Sequence, residues 1–159
     1  MEVVTSHGRE RRHARMKVAT ILAVKGSATE TISPAATVER AAQRLRSARI
    51  GALVVSSDGV HVAGLISERD IVHAFAKFGR SLCEMHVRDV MTQSPPTCTP
   101  DETVHDLMAR MTTSRNRHVP VVVDGALAGI VSIGDVVKNR LSDLETETQV
   151  LHDYIAHGR

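Results

Sequence analysis

The feature that most constrains this chain is an internal repeat. The stretch Gly64-Leu65-Ile66-Ser67-Glu68-Arg69-Asp70 returns as Gly129-Ile130-Val131-Ser132-Ile133-Gly134-Asp135, with glycine, serine and aspartate each recurring 65 residues on. Upstream the match continues at a spacing of 66, which relates Pro34 to Pro100 and Thr37 to Thr103. The same spacing takes Val38, Ala41, Ala42 and Leu45 to Val104, Leu107, Met108 and Met111. A fixed period defines the structural unit and so precedes any single motif. Residues 50–53 align with 117–120 at a spacing of 67, and a first hairpin two residues longer than the second absorbs the drift. Insertions of that kind belong in loops.

Each unit reads as β-α-β-β-α. A short β-prone piece (residues 29–33) ends at Pro34, and the corresponding piece at 97–99 ends at Pro100. Thr37 and Thr103 are placed to N-cap helices, whose apolar residues at i, i+3, i+4 and i+7 form one stripe. A β-branched run follows (52–55), then a turn at 57–59, a second strand (60–66) and a helix (67–78) ended by Gly79. In the second copy the strands are 119–123 and 127–131, joined by Asp124-Gly125, a hairpin turn pair. The closing helix runs from Gly134 to about Leu141, and Leu141, Leu144, Leu151, Tyr154 and Ile155 can share one face of a further helix. A unit near 60 residues is small to be stable alone, so two packed face to face would bury a shared core. The reading is an α/β (α+β) fold of two tandem β-α-β-β-α repeats, packed as a pseudo-twofold pair. Its divisions are a basic disordered extension at 1–15, the first repeat at 16–80, the second at 85–142 and a C-terminal helix at 143–159.

Composition narrows the function. Apolar residues are 42% of the chain but aromatics only 2%, so the core must be aliphatic. The formal charge of +2 lies entirely in residues 1–15, where four arginines face two glutamates; the remainder is neutral. The body therefore offers no general electrostatic attraction to nucleic acid or an anionic membrane. No apolar run approaches the roughly 18 residues that cross a bilayer. Cys83 and Cys98 have neither disulfide-framework nor metal-site spacing, and two unpaired thiols suit a reducing cytoplasm.

The doubled Gly-apolar-apolar-Ser-x-x-Asp signature on a β-α-β-β-α unit resembles the cystathionine-β-synthase (CBS) domain pair, or Bateman module. SERDIV in the first copy, with RHVPV and SIGDVVK in the second, is similar to small stand-alone bacterial members. The resemblance covers about 16–141. It implies a regulatory module that is not an enzyme. Its ligand would be an adenine nucleotide of the class AMP, ADP, ATP, NAD(H) or S-adenosylmethionine, held in clefts between the repeats. No obligatory cofactor or metal is implied. A homodimer is, and a separate regulated protein is a further expected partner.

The residues support that reading chemically. Ser67 with Asp70, and Ser132 with Asp135, fall at a strand-to-helix junction, where free backbone N–H groups and the helix dipole favour an anion. The serine can donate to a phosphate oxygen, and a carboxylate, which only accepts, can take ribose hydroxyls. The same tetrapeptide is also a capping-box variant. By position, the first site comprises Thr31, Gly51, Ala52, Ser67, Arg69 and Asp70. The second comprises Thr97, Arg115, Arg117, His118, Val119, Ser132 and Asp135. The resemblance implies that Thr31 and Thr97 turn hydroxyls to the ligand, and that Gly51-Ala52 and His118-Val119 offer main chain to the adenine edge. Arg69 suits a phosphate oxygen; its counterpart is Gly134, so the second site must draw on Arg117, with Arg115. Asn116 stands where the family has an aromatic residue. Lys25 and Lys138 are weaker phosphate candidates. No Walker-type loop, paired catalytic carboxylates or nucleophile elbow accompanies the motifs. The alternative is a structural dimerisation or interaction module whose nucleotide sites do not function.

Overall fold

A computed structural model describes residues 16–157; the extension expected at 1–15 lies outside the described residues. The chain begins with α1 (Val18–Lys25), β1 (Thr31–Ile32) and α2 (Val38–Ala48). The first hairpin, β2 (Ala52–Val55) with β3 (Gly64–Ser67), leads into α3 (Glu68–Phe78) and a 3-10 turn, Gly79–Glu84. The second half contains α4 (Val87–Val90), β4 (Thr92–Gln93), α5 (Val104–Ser114), β5 (His118–Val123), β6 (Ala126–Ser132) and α6 (Ile133–His157).

Local chemistry sets the boundaries. Thr37 accepts the Arg40 N–H, and Thr103 accepts that of Asp106, as each helix starts. Both helices end on an arginine in the left-handed region, Arg49 at φ 54° and Arg115 at φ 55°. Val38, Ala41 and Leu45 are buried on α2, as are Val104, Leu107 and Met111 on α5. Asp124 (φ 50°) and Gly125 (φ 79°) form the tight turn expected between β5 and β6. The expected break near Leu141 does not occur. No Gly or Pro interrupts the chain from Asp135 to His157, and α6 runs on as one helix of 25 residues.

β1 lies parallel to β2, and β2, β3 and β4 are successively antiparallel. The second sheet is the β5–β6 hairpin, which Cys98 joins by a parallel bridge to Val121. Register corrects the alignment. Ala52 pairs with Ser67 and His118 with Ser132, so Ala52 corresponds to His118 and Gly51 to Arg117, a spacing of 66 rather than 67. Val55 pairs with Gly64 and Val121 with Gly129, so the first hairpin connection is one residue longer, not two.

The two repeats exchange their leading segments. Val38 N–H donates to the Met85 carbonyl, Val87 N–H to Ala36 and Arg88 N–H to Pro34. The same three bonds recur as Val104 to Met16, Val18 to Glu102 and Ala19 to Pro100. Thus α4, which leads the second repeat, packs on the first, and α1, which leads the first, packs on the second. Val87 is buried with Ile32, Leu45, Leu53 and Ile66. Val18 and Ile21 are buried with Leu107, Met111, Val119 and Val131. The motif glycines accommodate this exchange. A Cβ on Gly64 would lie 2.5 Å from Met91 Sδ, and one on Gly129 would lie 2.7 Å from Leu22 Cδ2. A further apolar seam, Ala52, Val54 and Leu65 with Leu127 and Ile130, joins the two hairpins.

One pseudo-equivalent region differs. In the first repeat Leu82 of the 3-10 turn packs against Val38, Ala74 and Met85. In the second, Met16, Val104, Met108, Val136 and Asn139 line a groove of about 160 Å³.

Candidate functional site

Two clefts open where the repeats meet, and each is built from both. The first, of about 320 Å³, has Ser67, Glu68, Arg69 and Asp70 on one side and Ser114 to His118 on the other, with Thr92, Pro95 and Pro96 at its edge. The second, of about 340 Å³, has Ser132 and Asp135 on one side and Arg49 to Ala52 on the other, with Lys25, Ala28 and Glu30 at its edge. Gly51 and His118 line both.

This arrangement regroups the residues expected from the sequence. Arg115 and Arg117 face Asp70, not Asp135, and Ala52 faces Asp135, not Asp70. The strand start of each repeat lies over the other repeat's Ser-x-x-Asp motif, so proximity in sequence assigned these residues to the wrong cleft. Arg69 lines the Asp70 cleft as anticipated. Thr31 and Thr97 line neither cleft. The Val119 side chain is buried in the second core. Lys138 is exposed and outside both clefts. Arg49 and Glu30 were not anticipated, and Lys25 sits closer to the chemistry than an exposed lysine would. The signal for Arg49 was its spacing of 66 from Arg115. Both arginines end helices in the left-handed conformation, just before the strand that lines the other repeat's cleft.

Both motifs form reciprocal caps. Ser67 N–H and Oγ donate to Asp70 Oδ2 at 2.8 and 2.6 Å, and Asp70 N–H donates back to Ser67 Oγ at 3.3 Å. Ser132 and Asp135 repeat the set at 2.8, 2.8 and 3.2 Å. The capping role is thus present, and every one of these bonds to carboxylate uses Oδ2. Oδ1 of each aspartate accepts no bond among the described residues and can accept hydroxyl donors.

The clefts differ electrostatically. Lys25 Nζ donates to Asp135 Oδ2 at 2.6 Å and to the Ile130 carbonyl at 3.1 Å. Burial pushes the Asp135 carboxyl up, but the bonds from Lys25 and Ser132 outweigh it and hold the group below its usual value. His118 is held below its usual value, first by burial and then by Lys25 and Arg117, against the opposing charges of Asp135 and Glu68. It therefore presents a neutral ring with one donor and one acceptor nitrogen. A Cβ on Gly51 would lie 3.0 Å from His118 Cε1 and Nε2, so the absence of a side chain there admits the ring between the clefts. Among the described residues no group of three or more metal-ligating side chains is assembled, and no helix is long and apolar enough to cross a membrane.

The architecture is a pair of β-α-β-β-α repeats with a cleft over each Ser-x-x-Asp cap. The CBS domain family model matches residues 27–77 and 87–142. The chain is 39% identical over 126 residues to the mitochondrial CBS domain-containing protein CBSX3 of Arabidopsis thaliana, covering 77% of this chain and 61% of that one. It is 30% identical over 113 residues to YhcV of Bacillus subtilis, covering 71% and 79%. The crystal structure of the CBS-domain protein ATU1752 from Agrobacterium tumefaciens superposes with a TM-score of 0.76 at 43% identity, over 79% of this chain and 99% of that one. The chain belongs to the CBS-domain family, as a tandem pair. Such pairs are in general regulatory, non-catalytic modules for adenine-nucleotide ligands.

Proposed function

We propose that this chain is a non-catalytic regulatory or sensor module that binds an adenine nucleotide in each inter-repeat cleft. The candidates are AMP, ADP, ATP, NAD(H) and S-adenosylmethionine. The observation that carries the reading is the doubled construction. Each cleft joins a helix N-terminus, a carboxylate with a free Oδ1, and cationic side chains, the last drawn at least partly from the opposite repeat. A helix N-terminus with cations suits a phosphate, the carboxylate suits ribose hydroxyls, and the Gly51 and His118 main chain suits an adenine edge. Thermal shift tests it. Ligand at 100 times its dissociation constant stabilises by about 2.7 kcal/mol, and Asp70→Ala with Asp135→Ala divides the shift between clefts. An unchanged melting temperature with all five ligands at millimolar concentration would refute the reading.

Val72 and Phe75 on α3, with Val137 and Leu141 on α6, are exposed apolar residues on pseudo-equivalent helices. They support a homodimer formed through those helices, which sedimentation at micromolar concentration tests; a monomer there would overturn it. The exposed Cys83 and buried Cys98 are both free thiols, consistent with the cytoplasm. Regulatory output would pass to a separate protein. The alternative, a structural dimerisation module, draws support from serine and aspartate satisfying each other in both motifs; equilibrium dialysis without bound nucleotide would favour it.

A further inference from the structure

The two clefts hold their aspartates in different states. Asp70 Oδ2 accepts bonds from Ser67 alone. Asp135 Oδ2 accepts those of Ser132 and also carries the Lys25 ammonium at 2.6 Å. Lys25 ends α1, the exchanged helix, whose Leu22 packs over Gly129. Matching Met16 to Met85 and Leu22 to Met91 makes Ser94 the counterpart of Lys25 by spacing, and Ser94 does not line the first cleft. Ser94 carries no charge. The Leu65 segment that corresponds to Ile130 is paired instead by Thr92 of β4. The remaining charges also differ. Arg69, Arg115 and Arg117 line the Asp70 cleft and make no ion pair among the described residues. In the Asp135 cleft the cations are Lys25 and Arg49, and Glu30 is already engaged by Arg44.

Resting on the nucleotide reading above, we propose that Lys25 is a latch that makes the Asp135 cleft selective for a phosphorylated ligand and leaves the Asp70 cleft to load first. A nucleoside that reaches Asp135 through Oδ1 meets a carboxylate whose charge the Lys25 ammonium already neutralises in part, and it offers that ammonium no new anion. A nucleoside phosphate offers one: Lys25 moves from carboxylate to phosphate, and the full charge of the carboxylate then serves the ribose hydroxyls. The Asp70 cleft has three arginines to receive phosphate without breaking a pair, and an aspartate that no cation holds. The Asp70 cleft therefore accepts the more highly phosphorylated ligand, and discrimination against the unphosphorylated nucleoside is sharper at Asp135.

Calorimetry with AMP and adenosine tests this on the full chain, with Asp70→Ala isolating the Asp135 cleft. The expected result is that adding Lys25→Met to that variant lowers the AMP-to-adenosine affinity ratio by about tenfold or more, the lower end for a bond to a charged group. An unchanged ratio overturns the latch. A ligand-free measurement separates this from the nucleotide reading: carbon-13 NMR titration of the Asp135 carboxyl in the wild type and in Lys25→Met. The carboxyl is expected to titrate at higher pH in the variant; identical curves overturn the latch even if nucleotides bind. Absence of heat in the wild type with adenosine and with all five candidate ligands, with the NMR shift present, would overturn the nucleotide reading and the selectivity built on it; absence with AMP and adenosine alone would overturn the selectivity.

Discussion

The exchange of leading segments can be tested at one glycine. Gly129 is not in the left-handed region, so Gly129→Ala asks nothing unusual of the backbone. Its cost comes from the added Cβ, whose three nearest heavy atoms all belong to Leu22: Cδ2 at 2.7 Å, Cδ1 at 3.4 Å and Cγ at 3.7 Å. Overpacking of this kind costs about 1–3 kcal/mol, or roughly 3–9 °C in melting temperature for a domain of this size. Leu22→Ala removes a partly buried side chain and should cost about 1–2 kcal/mol, below the range for a fully buried leucine. If Leu22 is the sole obstacle, the double variant relieves the clash and also gains the lower unfolded-state entropy of alanine over glycine. Its destabilisation should then fall short of the sum of the single costs by about 1 kcal/mol or more. Urea unfolding of the four proteins measures the cycle. Additivity within about 0.5 kcal/mol, the behaviour of uncoupled sites, would show that Leu22 does not fill the space over Gly129. The equivalent cycle at Gly64 and Met91 should rescue less, because a Cβ there also meets the Thr92 carbonyl at 2.9 Å.

Further outcomes follow from burial and charge. Folding holds His118 below its ordinary value of 6.5, so the unfolded chain binds that proton more tightly. Its contribution to stability is complete above that value and is lost as pH falls through the folded value. His118→Gln should therefore flatten the decline in melting temperature between about pH 7 and 5; an unchanged slope would contradict the burial inferred. Cys98 is buried and its thiol is pushed up to about 12, chiefly by desolvation, whereas Cys83 is exposed. A thiol reagent should label Cys83 promptly and Cys98 only in denaturant; prompt labelling of both would refute the packing of Cys98 against β5. Val104→Ile adds one methylene beside the groove between α5 and α6 and should stabilise by up to about 1 kcal/mol; destabilisation in urea would show that the groove has no room.

What the sequence disclosed, and what it hid, follows from how local each constraint is. The caps at Thr37, Thr103, Ser67 and Ser132, the turn at Asp124-Gly125 and the stripes on α2 and α5 are satisfied within a few residues, and each left a legible pattern. The exchange of α1 and α4 is satisfied across the interface. Its spacing, 69 from Met16 to Met85, differs from that of either the motifs or the helices, so it did not appear as part of the repeat. Misassignment of Arg115, Arg117 and Ala52 has the same origin, since neighbours in the chain face opposite clefts. A one-residue error in register also moves side chains to the other face of a strand, which obscured the equivalence of His118 with Ala52 and of Arg117 with Gly51. Nothing in periodicity singled out Lys25, because its partner is 110 residues away.

The motif itself gains a fuller physical meaning from these contacts. Its serine and aspartate close a helix cap that would form in a single repeat. Its glycine makes sense only in the pair, since the space it leaves is filled by Leu22 or Met91 of the other repeat's leading segment. Three residues beyond Leu22 on the same helix is Lys25, on Asp135; one residue beyond Met91 is Thr92, at the edge of the Asp70 cleft. The first residue of each motif therefore seats the exchanged segment, and that segment delivers a different group toward the last residue: a cation in one cleft and a neutral strand in the other. The pair is twofold in architecture, while its two clefts differ inside the repeated heptapeptide, where Arg69 stands against Gly134, and also through residues outside it.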